Sequence, residues 1–208
     1  MTRVRLLLAG AVTFVVLPLA ILVRLGWDPL ADADRSADDG AHRSLSGHAT
    51  AVGWVRGATH LGDPLVVTAL AMVIAAGCWV SRRRTEAVYV LAVRALAVAL
   101  GFGLKEGVAR ARPNLAEPIA HASGYSFPSG HALGAAATYL SVALVVSGVR
   151  PRAGRVAVPL AVVVALVVAT TRVLLGVHFP SDVVAGLVLG WAVALLVYLP
   201  AERLVSEE

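Results

Sequence analysis

The chain has 208 residues, of which 58% are hydrophobic and 15% charged, with a mean hydropathy of +0.79. Soluble domains carry charge on roughly 25% of their residues, so this composition sets aside an ordinary soluble protein and points to a membrane protein. The net charge of +5 would suit a nucleic-acid binder, but most basic residues lie in short clusters between apolar runs, where they orient a membrane protein. Nucleic acid is therefore not an expected partner. The single cysteine, Cys78, excludes an intrachain disulfide, and no Cys/His spacing resembles a zinc site. Of the 18 basic residues 17 are arginine, which singles out Lys105.

The first apolar run, about Leu6 to Val23, is long enough to cross a hydrocarbon core of about 30 Å at roughly 1.5 Å per residue. It exceeds a signal-peptide core of roughly 7–15 residues, so a retained span is expected, with Pro18 as a tolerated kink. Residues 27 to 61 form a long polar segment rich in aspartate at its start. Leu45, Ala49, Val52 and Val55 predict a short helix on the membrane surface within Leu45 to Leu61, with His42, His48 and His60 as solvated loop residues. Further spans are predicted at about Pro64 to Val80, Ala87 to Leu104, His131 to Val149, Val156 to Thr170 and Val183 to Leu199. Arg94 is costly inside its span, and is expected to point into the bundle or snorkel to the arginine-rich side. The expected fold is one all-α, six-span transmembrane bundle over residues 1–208.

Orientation follows from the arginines. The N-terminus, the Arg82–Arg84 loop and the Arg150–Arg155 loop share one arginine-rich face, while the acidic segment lies on the other. Both termini are then cytoplasmic in a multi-pass cell-membrane protein. Lys105, the 114–128 loop, His131 and the stretch from Arg172 to Asp182 meet on the extracytoplasmic face.

Three stretches on that face carry chemistry. In K-E-G-V-A-R-A-R-P (105–113), Lys105 and Arg112 are seven apart, so a helical continuation of the third span would align two cations, although Pro113 disfavours helix at Arg112. In F-P-S-G-H (127–131), Ser129 is a natural helix cap and Gly130 allows close backbone approach. The free N–H groups of such a helix start bind phosphate, with His131 beside it. In T-R-V-L-L-G-V-H-F-P-S-D (171–182), Arg172 supplies a donor fork, and Asp182 is placed to hold one nitrogen of His178 protonated while the other keeps its lone pair. Singly, these read as interfacial anchoring, a capped helix start and a solvated turn. Jointly they would be three coincidences on one face. They supply what phosphoryl transfer needs, with cations in place of a metal and no acid cluster to hold one. No metal and no cofactor are expected.

The patterns K-x6-R-P, P-S-G-H and (S/T)-R-x5-H-x3-D, in this order, resemble the signature of the type 2 phosphatidic acid phosphatase superfamily. The resemblance covers Lys105 to Asp182, and the six spans resemble its integral-membrane branch. Thr171 departs from the family's usual serine but keeps the hydroxyl. The resemblance implies that His178 attacks phosphorus and forms a phosphohistidine, with Asp182 orienting it. His131 would protonate the leaving oxygen and then activate water. Lys105, Arg112, Ser129, Gly130 and Arg172 would hold the phosphoryl oxygens without a metal. The implied substrate is a lipid phosphate or isoprenoid diphosphate presented from the bilayer. The rivals are a vanadate-dependent haloperoxidase, which is soluble and larger, a small transporter, and a non-catalytic binder of lipid head groups. The sequence carries no signal for an oligomeric state.

Overall fold

A computed structural model describes residues 10, 12–114 and 119–205. Among them every regular element is a helix. A π-helical stretch, Val12–Val16, passes into α1 (Leu17–Leu25), with Pro18 in the first α-helical turn, where its missing N–H costs least. Gly26, at φ 66°, caps α1 in the left-handed region and starts a bend of 96° into α2 (Asp28–Leu45). Next come α3 (Ala49–Thr59), a short 3-10 turn (His60–Gly62), and a 45° bend at Asp63 into α4 (Pro64–Val80). The bundle is completed by α5 (Arg84–Val108), α6 (Gly130–Val149), α7 (Pro151–Leu174) and α8 (Pro180–Val205).

By length and composition α5, α6, α7 and α8 are each able to cross a membrane, and the count rises to six if each bent pair is one span. The predicted second span coincides with α4. The first is described only in part, because residues 1–9 and 11 lie outside the described residues. The aspartate-rich half of the polar segment forms the 18-residue helix α2, and Asp34 and Asp38 on it are buried. The reason is spacing, since residues four apart share a helix face, and the face that α2 turns inward carries Asp34 and Asp38 together with Leu45.

Helix α6 is apolar all round and sits at the centre, with 61% of its membrane-length window buried, as for α8, against 33% in α5 and α7. Small residues set the α6–α8 distance. A Cβ at Gly186 would lie 2.8 Å from the Ser129 carbonyl oxygen, and one at Gly190 2.7 Å from that of Leu133. This close approach seats the start of α6 against the start of α8, where the Ser129 N–H donates to the Asp182 carbonyl at 3.0 Å. The outer faces of α4, α5 and α7 leave Met72, Val98, Phe102, Leu160 and Val163 exposed, as lipid-facing surfaces do. Trp27 and Trp54 are exposed near the site end and Trp79 at the other, positions that suit the two interfaces.

Arg94 lies between α4 and α5. Its Nε donates to Thr68 Oγ1 at 3.0 Å, so it lies along the groove between these helices toward the start of α4, away from the Arg82–Arg84 loop. Of the two expected directions, snorkelling to the arginine-rich side is set aside.

Candidate active site

The cations arrive by different routes. Lys105 sits in the last turn of α5, which stops at Val108 because Ala109 turns into the left-handed region at φ 51°. Arg112 therefore lies in non-helical chain, and the expected helical alignment of Lys105 with Arg112 is corrected. They meet through the 119–125 loop instead, since Lys105 donates to the Tyr125 carbonyl and Arg112 to those of Ser123 and Gly124. Arg172, in the last turn of α7, is buried, with one arm on Thr59 Oγ1 at 2.8 Å and its Nε without a hydrogen-bond partner among the described residues.

Pro180 opens α8, so His178 precedes the helix and Asp182 sits in its first turn. The partners of His178 decide its tautomer. Arg112 Nη1 lies 3.1 Å from Nε2, and because a guanidinium only donates, Nε2 must present its lone pair. The ring proton is then on Nδ1, which faces Asp182 Oδ2 at 3.4 Å, near the outer limit for a hydrogen bond. The Phe179 N–H also donates to Oδ2, at 3.0 Å. Burial pushes the His178 imidazole down to about 4; Asp182 pulls upward, and the Arg112 and Arg172 guanidiniums add to the drop. At neutral pH the ring is an uncharged base.

His131 lies in the first turn of α6, with Nε2 2.8 Å from Asp63 Oδ1. The other oxygen of Asp63 is 2.6 Å from His60 Nδ1. Gly62 permits this arrangement, because a Cβ there would lie 3.3 Å from the His131 side chain and clash with Val168. Ser129 is the N-cap residue of α6 by position only. Its side chain makes no capping bond, and the fully buried Oγ has no hydrogen-bond partner among the described residues.

These groups surround a cavity of about 770 Å³, lined by Lys105, Arg112, Gly130, His131, Arg172 and His178. Ser129 and Asp182 stand behind that lining. The same wall carries four residues that the motifs did not flag: Arg56, Thr59, His60 and Asp63. His60 is thus no free loop residue, while His48 is exposed at the start of α3 and His42 is half-buried in α2. Arg110 and Asp34 were also passed over. Arg110 lies inside the first stretch but is not one of its spaced cations, and Asp34 was one acid among several. Its signal was the four-residue step from Asp34 to Asp38 and on to His42.

The PAP2 superfamily model matches residues 86–205, more than half of the chain. The chain belongs to the PAP2 superfamily. It is 36% identical over 144 residues to phosphatidylglycerophosphatase B of Bacillus subtilis, an alignment covering 68% of this chain and 70% of that one. It is 35% identical over 149 residues to a decaprenylphosphoryl-5-phosphoribose phosphatase of Mycobacterium tuberculosis, covering 68% and 76%. The crystal structure of a transmembrane PAP2-type phosphatidylglycerolphosphate phosphatase from B. subtilis superposes with a TM-score of 0.86 at 31% identity, over 94% of this chain and 96% of that one. The relatives are named as phosphatases of lipid phosphates, and the bundle described above has the all-helical fold of the transmembrane B. subtilis structure. Asp34 and Asp63 lie outside the matched residues 86–205.

Proposed function

We propose that the chain is a membrane phosphatase that hydrolyses a lipid phosphate through a phosphohistidine, with no metal. The observation that carries this is the buried His178, its Nε2 lone pair turned to the cation-lined cavity and its Nδ1 to Asp182. In the first step the Nε2 electron pair forms a bond to phosphorus and the bond to the lipid oxygen breaks. His131 gives that oxygen its proton. Lys105, Arg112, Arg172 and the first amides of α6 neutralise the equatorial oxygens, the main task in phosphoryl transfer. The Arg112 N–H that now faces Nε2 is free to turn to a phosphoryl oxygen. In the second step His131 takes a proton from water, the water oxygen bonds to phosphorus, and the P–N pair returns to Nε2. Asp63 offers the His131 ring a counter-ion while it is charged, before the first step and after the second. The unpartnered Ser129 hydroxyl stands behind Gly130, ready to donate to an anion drawn into the helix start.

The relatives' names span phosphatidylglycerophosphate, decaprenylphosphoryl-5-phosphoribose and lipid A 1-phosphate, which share a phosphate on a lipid. A site at the membrane face suits such a substrate, whose tail stays in the bilayer. The arginine-rich clusters at the opposite end support an extracytoplasmic site in the cell membrane. The test is phosphate release from a panel of lipid phosphates by the purified chain in detergent, with excess EDTA and with and without vanadate. Release that survives EDTA and is blocked by vanadate is expected; release abolished by EDTA and restored by a divalent metal overturns the metal-free mechanism.

A further inference from the structure

We propose that Arg110, clamped by Asp34 of α2, is a positioning residue for the His178–Asp182 pair, which makes the helix α2 part of the catalytic apparatus. This rests on the reading of His178 as the nucleophile. Asp182 is completely buried, and a buried carboxylate needs every oxygen partnered. His178 and the Phe179 N–H take Oδ2. Arg110 takes Oδ1, with Nη1 at 2.7 Å, and the same nitrogen lies 2.7 Å from Ser181 Oγ.

The other arm of the fork, Nη2, donates to Asp34 Oδ2 at 2.7 Å. The guanidinium carbon also sits over the Phe179 ring, 4.1 Å from its centre. Asp34 does more than hold Arg110. Its Oδ1 accepts the Ser181 N–H at 3.0 Å and its Oδ2 the Ser181 hydroxyl. One carboxylate on α2 therefore fixes both the cation that orients Asp182 and the helix start that carries it. The left-handed turn at Ala109 ends α5 where Arg110 can reach Asp182, and the Ser126 N–H on the Arg110 carbonyl holds that turn. With Asp34, Arg110 and Asp182 all nearly or fully buried, the chain of contacts is shielded from screening.

Arg110 is absent from the lining of the main cavity, so its loss should leave substrate binding largely intact and act on turnover. The charges facing His178 are Arg112 from the segment after α5, Arg172 from α7 and Asp182 from α8, and those near Asp182 from α2 are Asp34 and Asp38. Without Arg110 the Asp182 charge meets His178 less compensated, with Lys105 and Arg112 as its remaining cations. The imidazolium gains stability, and the acid limb of kcat/KM moves to higher pH.

The experiment uses the full chain in detergent with the lipid phosphate that the wild type hydrolyses best, and a thermal melt as the folding control. Arg110→Met is expected to lower kcat about 100-fold with KM within about threefold, to raise the acid limb, and to be partly rescued in Arg110→Lys. Asp34→Asn, which keeps size and shape, is expected to lower kcat about tenfold. Combining Arg110→Met with Asp182→Asn should cost little beyond Asp182→Asn alone, because the two act through one group. A folded Arg110→Met with wild-type kcat and an unmoved acid limb overturns the proposal, as do losses that simply multiply in the double variant. If Arg110→Met does not fold, Asp34→Asn decides: wild-type turnover overturns the proposal and a tenfold loss supports it. His178→Ala run in parallel separates the two readings, since turnover surviving there removes the nucleophile itself.

Discussion

The two histidines of the site are each paired with a carboxylate, but the pairs are built in opposite ways. His178 and Asp182 are four residues apart across one helix start, and both side chains are almost wholly buried, 3% and 0% exposed. His131 and Asp63 are brought together from the start of α6 and the bend before α4, with 17% and 33% of their side chains exposed. The first pair holds an uncharged ring with one lone pair presented, as a nucleophile requires. The second meets water and leaves a ring that can gain and lose a proton, as an acid–base group requires. Burial, not residue type, separates the two proposed roles.

That comparison can be broken at either pair. His178→Ala should abolish phosphate release, and turnover near wild type would remove the nucleophile assignment. Asp182→Asn should fold normally and lower kcat by about 10³–10⁴, as when an orienting carboxylate is removed from another His-based site; a wild-type rate would show that the 3.4 Å contact orients nothing. Asp63→Asn should cost only about tenfold, below the roughly 10²–10⁴ that proton transfer contributes, because His131 itself remains and water can reach the ring. A loss as large as that of Asp182→Asn would mean that the two pairs are not different in kind.

A smaller, graded effect comes from pH. The His178 imidazole is lowered from its ordinary 6.5 to about 4, so activity should persist well below pH 6. An acid limb near 6.5 in kcat/KM would contradict the buried, uncharged ring. The same shift has a stability consequence. The unfolded chain takes up this proton first as the pH falls, so the contribution of this group is complete above about 6.5 and is lost as the pH drops toward 4. Melting temperature followed between those values in wild type and His178→Asn reads it, the variant losing less.

The spans were legible because lipid imposes a length and an apolar composition on each. Pro64–Val80 was read to the residue, while α7 begins five residues before its predicted start, since Arg152 and Arg155 dilute its apolar signal. The local half of the site was equally open to reading, as Arg172, His178 and Asp182 sit at short spacing around one helix start. Asp63, Thr59, Arg110 and Asp34 were not. Each acts on a residue 68 to 113 positions away, and no local pattern distinguishes such a carboxylate or hydroxyl from a solvated one.

The sequence by itself determined that this chain is a helical membrane protein, and which histidines, cations and carboxylate gather at one end, because hydrophobic length and short-range spacing are local properties. Tertiary structure alone decided that α2 turns Asp34 and Asp38 inward, that Arg110 locks Asp182, and that Asp63 reaches His131. Those pairings depend on the angles at which helices cross and bend, and the bends at Gly26 and Asp63 bring acids from the first third of the chain onto groups carried by the last two thirds.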